Sequence, residues 1–226
     1  MERHHFESEL QALRNQLLTM GALVEERVHQ AVHSLVHRRE EEAERVIAAD
    51  KEINDLQIDI DDRALRLLAT QAPLAVDLRL ITSTMKINAN LERIGDQAVN
   101  IAENVLKLLP HPPLKPLIDI PRMAEIAKKM TRDALDAFVN RDAELARDVL
   151  RRDDEVDLLK DQIFRELLTY MMADPGTIAR ALSLILISRN LERIADHATN
   201  IAEDVIFIAE AKDVRHHHLE QEADKS

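Results

Sequence analysis

Residues 90–105 read NLERIGDQAVNIAENV and residues 190–205 read NLERIADHATNIAEDV. Twelve of the sixteen positions are identical, and the acidic pairs Glu92/Glu192, Asp96/Asp196 and Glu103/Glu203 are among them. A match of this length at a spacing of one hundred residues marks an internal duplication, so the chain has to fold as two related halves. The duplication reaches further back. At an offset of 103, Ala31, Val36, Arg38, Ala43, Val46, Asp50 and Glu52 fall on Ala134, Val139, Arg141, Ala146, Val149, Asp153 and Glu155. The change of offset belongs to a turn near 71–74 in one half and 173–176 in the other.

Helical periodicity then divides each half into three. Leu10, Leu13, Leu17, Met20, Val24, Val28, Ala31 and Leu35 recur at three- and four-residue spacings, which predicts a helix over about 6–37. A second helix is expected over about 40–70 along Val46, Ile53, Leu56 and Ile60, and a third to about 109 with Pro73 near its start. The segment LPHPPLKPLIDIP at 109–121 holds five prolines and cannot be helix interior. Pro121 opens a fourth helix to about 139, Asn140-Arg141-Asp142 punctuates, and a fifth runs to about 173. Asp174-Pro175 is an N-cap followed by proline at the first helical position, which starts the sixth.

The fold class predicted is therefore all-α, with two tandem, pseudo-symmetric three-helix bundles of six long helices joined by a Pro-rich linker. The divisions expected are residues 1–110 for the first bundle, 111–120 for the linker, 121–210 for the second bundle and 211–226 for a polar tail. Only three Gly, five aromatic residues and no Trp accompany this pattern, a composition that suits helices better than sheets.

A formal net charge of −12 opposes nucleic acid, bare phosphate and anionic membrane surfaces as direct partners, and it suits cations. The absence of Cys excludes disulfides, thiolate nucleophiles and zinc-thiolate sites. No apolar run approaches eighteen residues and MERHHFESEL lacks the apolar core of a signal peptide, so a cytoplasmic chain without membrane insertion is expected.

The chemistry lies in the carboxylates. At roughly 100° per residue, Glu92, Asp96, Asn100 and Glu103 project at about 0°, 40°, 80° and 20°, one narrow stripe opposite Leu91, Ile94, Ala98, Ile101, Ala102 and Val105. Glu192, Asp196, Asn200 and Glu203 repeat it, with Asp204 close by. Folding the second helix back from a turn near 72 sets Asp50 and Asn54 at the height of Glu92 and Asp96. The turn near 174 likewise sets Asp153 and Asp157 beside Glu192 and Asp196. So many carboxylates together are costly unless cations neutralise them or they keep protons. Oxygen-only donors suit divalent or trivalent ions such as magnesium, calcium, manganese or iron. The alternatives are a solvated acidic face on a structural scaffold and a metal-dependent carboxylate-bundle enzyme. The enzyme would need an open coordination position and usually His ligands, which the duplicated stripes lack. Asp157 in place of Asn54 gives the second half more ligand capacity, and ions are expected to load there more readily.

Other motifs are weaker. Glu26-Arg27-Val28-His29 is an E-x-x-H without a counterpart at Lys129–Arg132, and reads as a surface pair. His216–His218 reads as a polar terminal tract, His197 as a possible ligand whose partner Gln97 cannot titrate, and Arg93 and Arg193 as surface ion-pair partners. Asp77-Leu78-Arg79 offers capping or a contact made by the first half alone. No Gly-rich phosphate loop, nucleophile elbow or dinucleotide fingerprint is present.

With both E-x-x-x-D motifs (Glu92–Asp96 and Glu192–Asp196), the Asp77-Leu78-Arg79 approach and the Asp213-Val214-Arg215-His216 ending, the chain resembles the PhoU family over about 6–216. Ala195 departs from the family's usual Gly, and Asn54 removes a charge from the first site. The resemblance implies a cytoplasmic regulator and not an enzyme. It implies negative regulation of the phosphate-starvation response and restraint of phosphate uptake. The partners implied are the ATPase subunit of the phosphate ABC transporter, a membrane-bound sensor histidine kinase and a second copy as homodimer. Metal ions (iron, manganese, magnesium or zinc) at the acidic motifs are implied as well.

Overall fold

Among the described residues the chain forms eight α-helices and no strand: α1 (Glu2–His37), α2 (Glu40–Ala48), α3 (Asp50–Gln71), α4 (Ala75–Leu108), α5 (Asp119–Asn140), α6 (Ala143–Arg151), α7 (Asp153–Ala173) and α8 (Ile178–Glu210), with a 3-10 turn at Pro175–Thr177. The computed structural model describes residues 2–71 and 73–214, the side chains of residues 2–4 aside. His216–His218 and the Arg215-His216 end of the terminal motif lie outside the described residues.

The six helical arms read from the sequence are present, but the second and fifth are each broken once. The breaks fall at Ala49 and Arg152, equivalent positions of the duplication. Each new helix begins on an acidic turn, Asp50 and Glu52 in α3 and Asp153, Asp154 and Glu155 in α7. Carboxylates are favourable at a helix N-terminus, where the macrodipole is positive and amide donors lack partners. A run of them therefore starts a helix more readily than it continues one. The break places Asp50 and Asp153 at the head of their helices, beside the acidic stripes.

The corners between the first two arms also repeat. Arg38 (φ 54°) and Arg141 (φ 53°) both adopt the left-handed conformation that ends a helix, although neither is glycine. Asp142 then caps α6 by accepting from the amides of Glu144 and Leu145 at 3.0 Å each, whereas Arg39 gives α2 no side-chain cap. Arg38 earns its position differently, donating to the carbonyls of Leu109 and His111 at 2.7 Å each and so tying this corner to the start of the Pro-rich segment. Pro73 stands two residues ahead of α4 and not at its first position, and the cap residue there is Leu74. Asp77 lies in the first turn of α4, so it supplies charge near Arg14 and does not cap the helix. Asp174 accepts from the amide of Gly176 at 2.9 Å and begins the 3-10 turn with Pro175 at its head.

Two central helices, α4 and α8, pack on each other most extensively. Lys86 on α4 meets Asp204 on α8 (3.2 Å), and Asn90 meets His197 (3.1 Å). Numbers rise along one helix as they fall along the other, so the two copies of the repeated segment run antiparallel. α1 and α5 pack in the same sense, with Arg132 paired to Glu25 at 2.6 Å and Gly21 against Leu135. A Cβ on Gly21 would overlap Cδ1 of Leu135, so a larger residue there requires that leucine side chain to move. The buried residues of both halves form one continuous apolar cluster.

Gly95 and Ala195 differ for a packing reason. A Cβ on Gly95 would stand 3.0 Å from Cδ1 of Ile53. The residue corresponding to Ile53 in the second half is Val156, one methyl smaller, and there Ala195 is accommodated with both residues fully buried. The departure at Ala195 is therefore a compensated exchange of volume. No helix of the described residues is long and apolar enough to cross a membrane.

Candidate functional site

The apolar side of the duplicated segment is entirely buried: Leu91, Ile94, Ala98, Ile101, Ala102 and Val105 are all at 0% exposure. That burial fixes the rotation of α4 and turns Glu92 and Asp96 toward the edge of the α3–α4 seam, where both are half-buried. Asn88, one turn earlier, donates to the carbonyl of Gln57 and to Oδ1 of Asp61, each at 2.9 Å, and locks the seam's register.

In this seam Asp50, Asn54, Glu92 and Asp96 come together. Nδ2 of Asn54 donates to Oδ2 of Asp50 at 2.8 Å, while Oδ1 of Asp50 is buried with no hydrogen-bond partner. Burial raises the Glu92 carboxyl above its ordinary range, with repulsion from Asp96 and Asp50 adding and Arg93 opposing. Asp96 is raised by burial and then by Asp50, again against Arg93. Asp50 is therefore near enough to repel both stripe carboxylates.

The second seam gathers Asp153, Asp157, Glu192 and Asp196. Asp153 is pushed up to about 6, by burial first and then by Asp196, Asp157, Asp154 and Glu192. Asp196 is raised although its side chain reaches solvent. Loss of hydration in the seam contributes most, then Glu192 and Asp157, with Lys160 and Arg193 opposing. One residue here was not read from the sequence. Lys160 donates through Nζ to Oδ1 of Asp157 (2.9 Å) and to Oε1 of Glu192 (3.1 Å), bridging α7 and α8. Those bonds raise its own pKa above the ordinary lysine value. The signal for it was present, because the offset of 103 aligns Lys160 with Gln57, a change from neutral to positive.

All eight predicted site residues are thus gathered into two clusters, four in each. Among the described residues, however, no three His, Asp or Glu side chains already converge closely enough to hold an ion. The donors fit a hard cation in kind: every one is an oxygen or an amide, and the carboxyls are raised by burial first and by their mutual repulsion second. Oδ1 of Asp50 is buried without a hydrogen-bond partner and is open to a ligand.

Asp204 does not join its neighbouring stripe. It is buried on the other side of α8 and paired with Lys86 of α4. Glu26 and His29 are exposed, and Glu26 accepts from Gln30 at 2.6 Å. His197 faces α4 and pairs with Asn90, so it stands away from the acidic seam. Burial, with Arg93 and Arg193 nearby, lowers its pKa to about 4. A base depressed from 6.5 contributes stability above pH 6.5 that is lost as pH falls toward 4. Asp153 has the opposite sign: raised from 3.8, it favours the ion-free fold at low pH and disfavours it as pH rises through about 6. The windows overlap, so the informative quantity is a difference between variants. His197→Gln, which installs the residue of the first half, should lose less stability than the parent between pH 6.5 and 4.5. After allowance for partial solvent access, the gap should be about 1 kcal/mol by chemical denaturation. Parallel profiles would show that the ring is not held neutral by burial.

A family model described as the PhoU domain matches residues 17–105 and 120–205, once on each half. A phosphate-specific transport system accessory protein PhoU homolog of Aquifex aeolicus is 42% identical over 216 residues, covering 96% of this chain and 98% of its own length. A homolog of the same description from Pseudomonas putida is 42% identical over 218 residues, covering 94% of this chain and 85% of its own. The crystal structure of PhoU from Pseudomonas aeruginosa superposes with a TM-score of 0.89 at 41% identity, covering 92% of this chain and all of that one. That of the phosphate transport system regulatory protein PhoU from Streptococcus pneumoniae gives 0.86 at 30% identity, covering 93% and 100%. These relatives are named for accessory and regulatory roles in phosphate transport, and not for a catalysed reaction. With the family matched across both repeats and the fold shared over nearly its whole length, this chain belongs to the PhoU family.

Proposed function

We propose that the chain is an accessory protein of phosphate-specific transport that acts in the cytoplasm as a negative regulator of the phosphate-starvation response. It couples the ATPase subunit of the phosphate ABC transporter to the sensor histidine kinase, restrains uptake, and works as a homodimer. Divalent or trivalent ions (iron, manganese, magnesium or zinc) bind at Asp50, Asn54, Glu92 and Asp96 and at Asp153, Asp157, Glu192 and Asp196. These residues would hold the ion, and its charge would offset the repulsion between the carboxylates of neighbouring helices.

The observation that carries this reading is the pairing of raised carboxyls with the orphaned Asp50 oxygen, at a stripe that both halves retain. The strongly acidic chain is a poor receptor for free phosphate, which supports sensing through a protein partner. The test is a pull-down of the transporter ATPase and the kinase by the full chain, with and without chelator, alongside Glu92→Ala/Glu192→Ala. Capture that weakens at least about tenfold in chelator and in the double variant is expected. Full metal content and full kinase repression in the double variant would remove the role given to the stripes.

A further inference from the structure

We propose that Lys160 is a resident counter-cation of the second acidic cluster, so that a free metal ion loads the first cluster in preference to the second. The inference rests on the ion reading given above, and it reverses the preference expected from ligand count alone.

Two differences between the halves travel together. Where α3 has Asn54 and Gln57, α7 has Asp157 and Lys160, three residues apart in each case and on one face of the helix. The added carboxylate and the added ammonium are bonded to each other at 2.9 Å. Counting formal charges, Asp50, Glu92 and Asp96 give −3 in the first cluster. Asp153, Asp157, Glu192 and Asp196 with Lys160 also give −3 in the second. The ligand sets alone are thus alike in formal charge; beside them Asp154, which repels Asp153, stands where the first half has Lys51, so a preference for the first cluster has to come from contact geometry.

At contact the sites differ sharply. Lys160 already donates to Glu192, a stripe carboxylate, at 3.1 Å, so an ion arriving there must displace or share with an ammonium. Charge-assisted bonds of this kind are among the stronger polar contacts, and a divalent ion beside an ammonium is repelled. In the first cluster Gln57 is uncharged and its main-chain oxygen is held by Asn88. An arriving ion there meets the free Oδ1 of Asp50. Lys160 thus makes the α7–α8 seam a cross-brace that needs no ion, while the α3–α4 seam depends on one.

The experiment is a Mn²⁺ titration of the full chain by equilibrium dialysis and calorimetry, with thermal unfolding in chelator as a readout independent of any regulatory activity. In the parent, tight uptake should disappear with Glu92→Gln and persist with Glu192→Gln. Lys160→Gln should bring in a second tight equivalent, bound at least about tenfold more strongly than in the parent. It should also lower the unfolding temperature in chelator, with Mn²⁺ restoring it. The reciprocal variant Asn54→Asp/Gln57→Lys, which transplants the brace, should weaken the first site by a similar factor. Uptake that follows Glu192 instead of Glu92, or that ignores both Lys160→Gln and the transplant, would overturn this inference alone. Absence of Mn²⁺ uptake in the parent and in Lys160→Gln alike would overturn the ion reading itself.

Discussion

Truncating Ile94 to alanine is expected to cost about 2–5 kcal/mol of unfolding free energy, a large share of the roughly 5–15 kcal/mol that holds a typical domain together. Ile94 is at 0% exposure on the buried side of α4, in the same turn that carries Glu92 and Asp96 outward. Its loss leaves a cavity that the single continuous core can only partly close. Ile194 is the duplicate and is equally buried. The antiparallel register set by Asn90 and His197 brings residues 94 and 194 to nearly the same height along α4 and α8. The two truncations should therefore couple, with the double variant departing from the sum of the singles by more than the 0.3–0.5 kcal/mol or so found for independent sites. Denaturant unfolding of the four proteins in the cycle measures this. Strict additivity would mean that the two copies of the segment do not share a packing environment.

Neutralising the first cluster should abolish most of the stabilising response to metal. In chelator, Asp50→Asn/Glu92→Gln/Asp96→Asn should be more stable than the parent at pH 7.5, because the raised Glu92 and Asp96 carboxyls disfavour the charged, ion-free seam. With free Mn²⁺ at about a hundredfold over its dissociation constant, the parent should gain about 2.7 kcal/mol and the triple variant little of it. For a chain of this length that gain corresponds to a rise of about 2–4 °C in Tm per kcal/mol, readily seen by calorimetry. A triple variant that kept the full gain would exclude these three residues as the ion's ligands. Acidification offers a check on sign: groups raised in the fold favour it below their unfolded pKa, so the parent's deficit in chelator should shrink toward pH 4.

Much of this was legible in the linear order of residues, for a definite reason. Helical periodicity and proline placement report local backbone preferences, and these carried six helical arms and their turns. Duplication doubled the information, because any error in placing Asp50 against Glu92 would have to recur at Asp153 and Glu192. The breaks at Ala49 and Arg152 were missed because alanine and arginine are good helix formers. The signal lay in the acidic residues just after them. Asp204 lies close to the stripe in sequence, yet its side chain leaves on the far side of α8 to meet Lys86.

The repeated segment by itself determined that there are two acidic stripes, on which helices, and in what chemical class of donor. Those follow from the 3.6-residue turn and from which side chains shun water. What only the tertiary structure decided is how the stripes are completed. The antiparallel crossing of α4 and α8, the isolation of His197 from the seam, the unpartnered oxygen of Asp50 and the bridge from Lys160 to Glu192 all depend on side chains far apart in sequence. Their meeting is set by packing of one shared core, and a charge that looks solvated along a helix becomes a partner or an orphan only when another helix is laid against it.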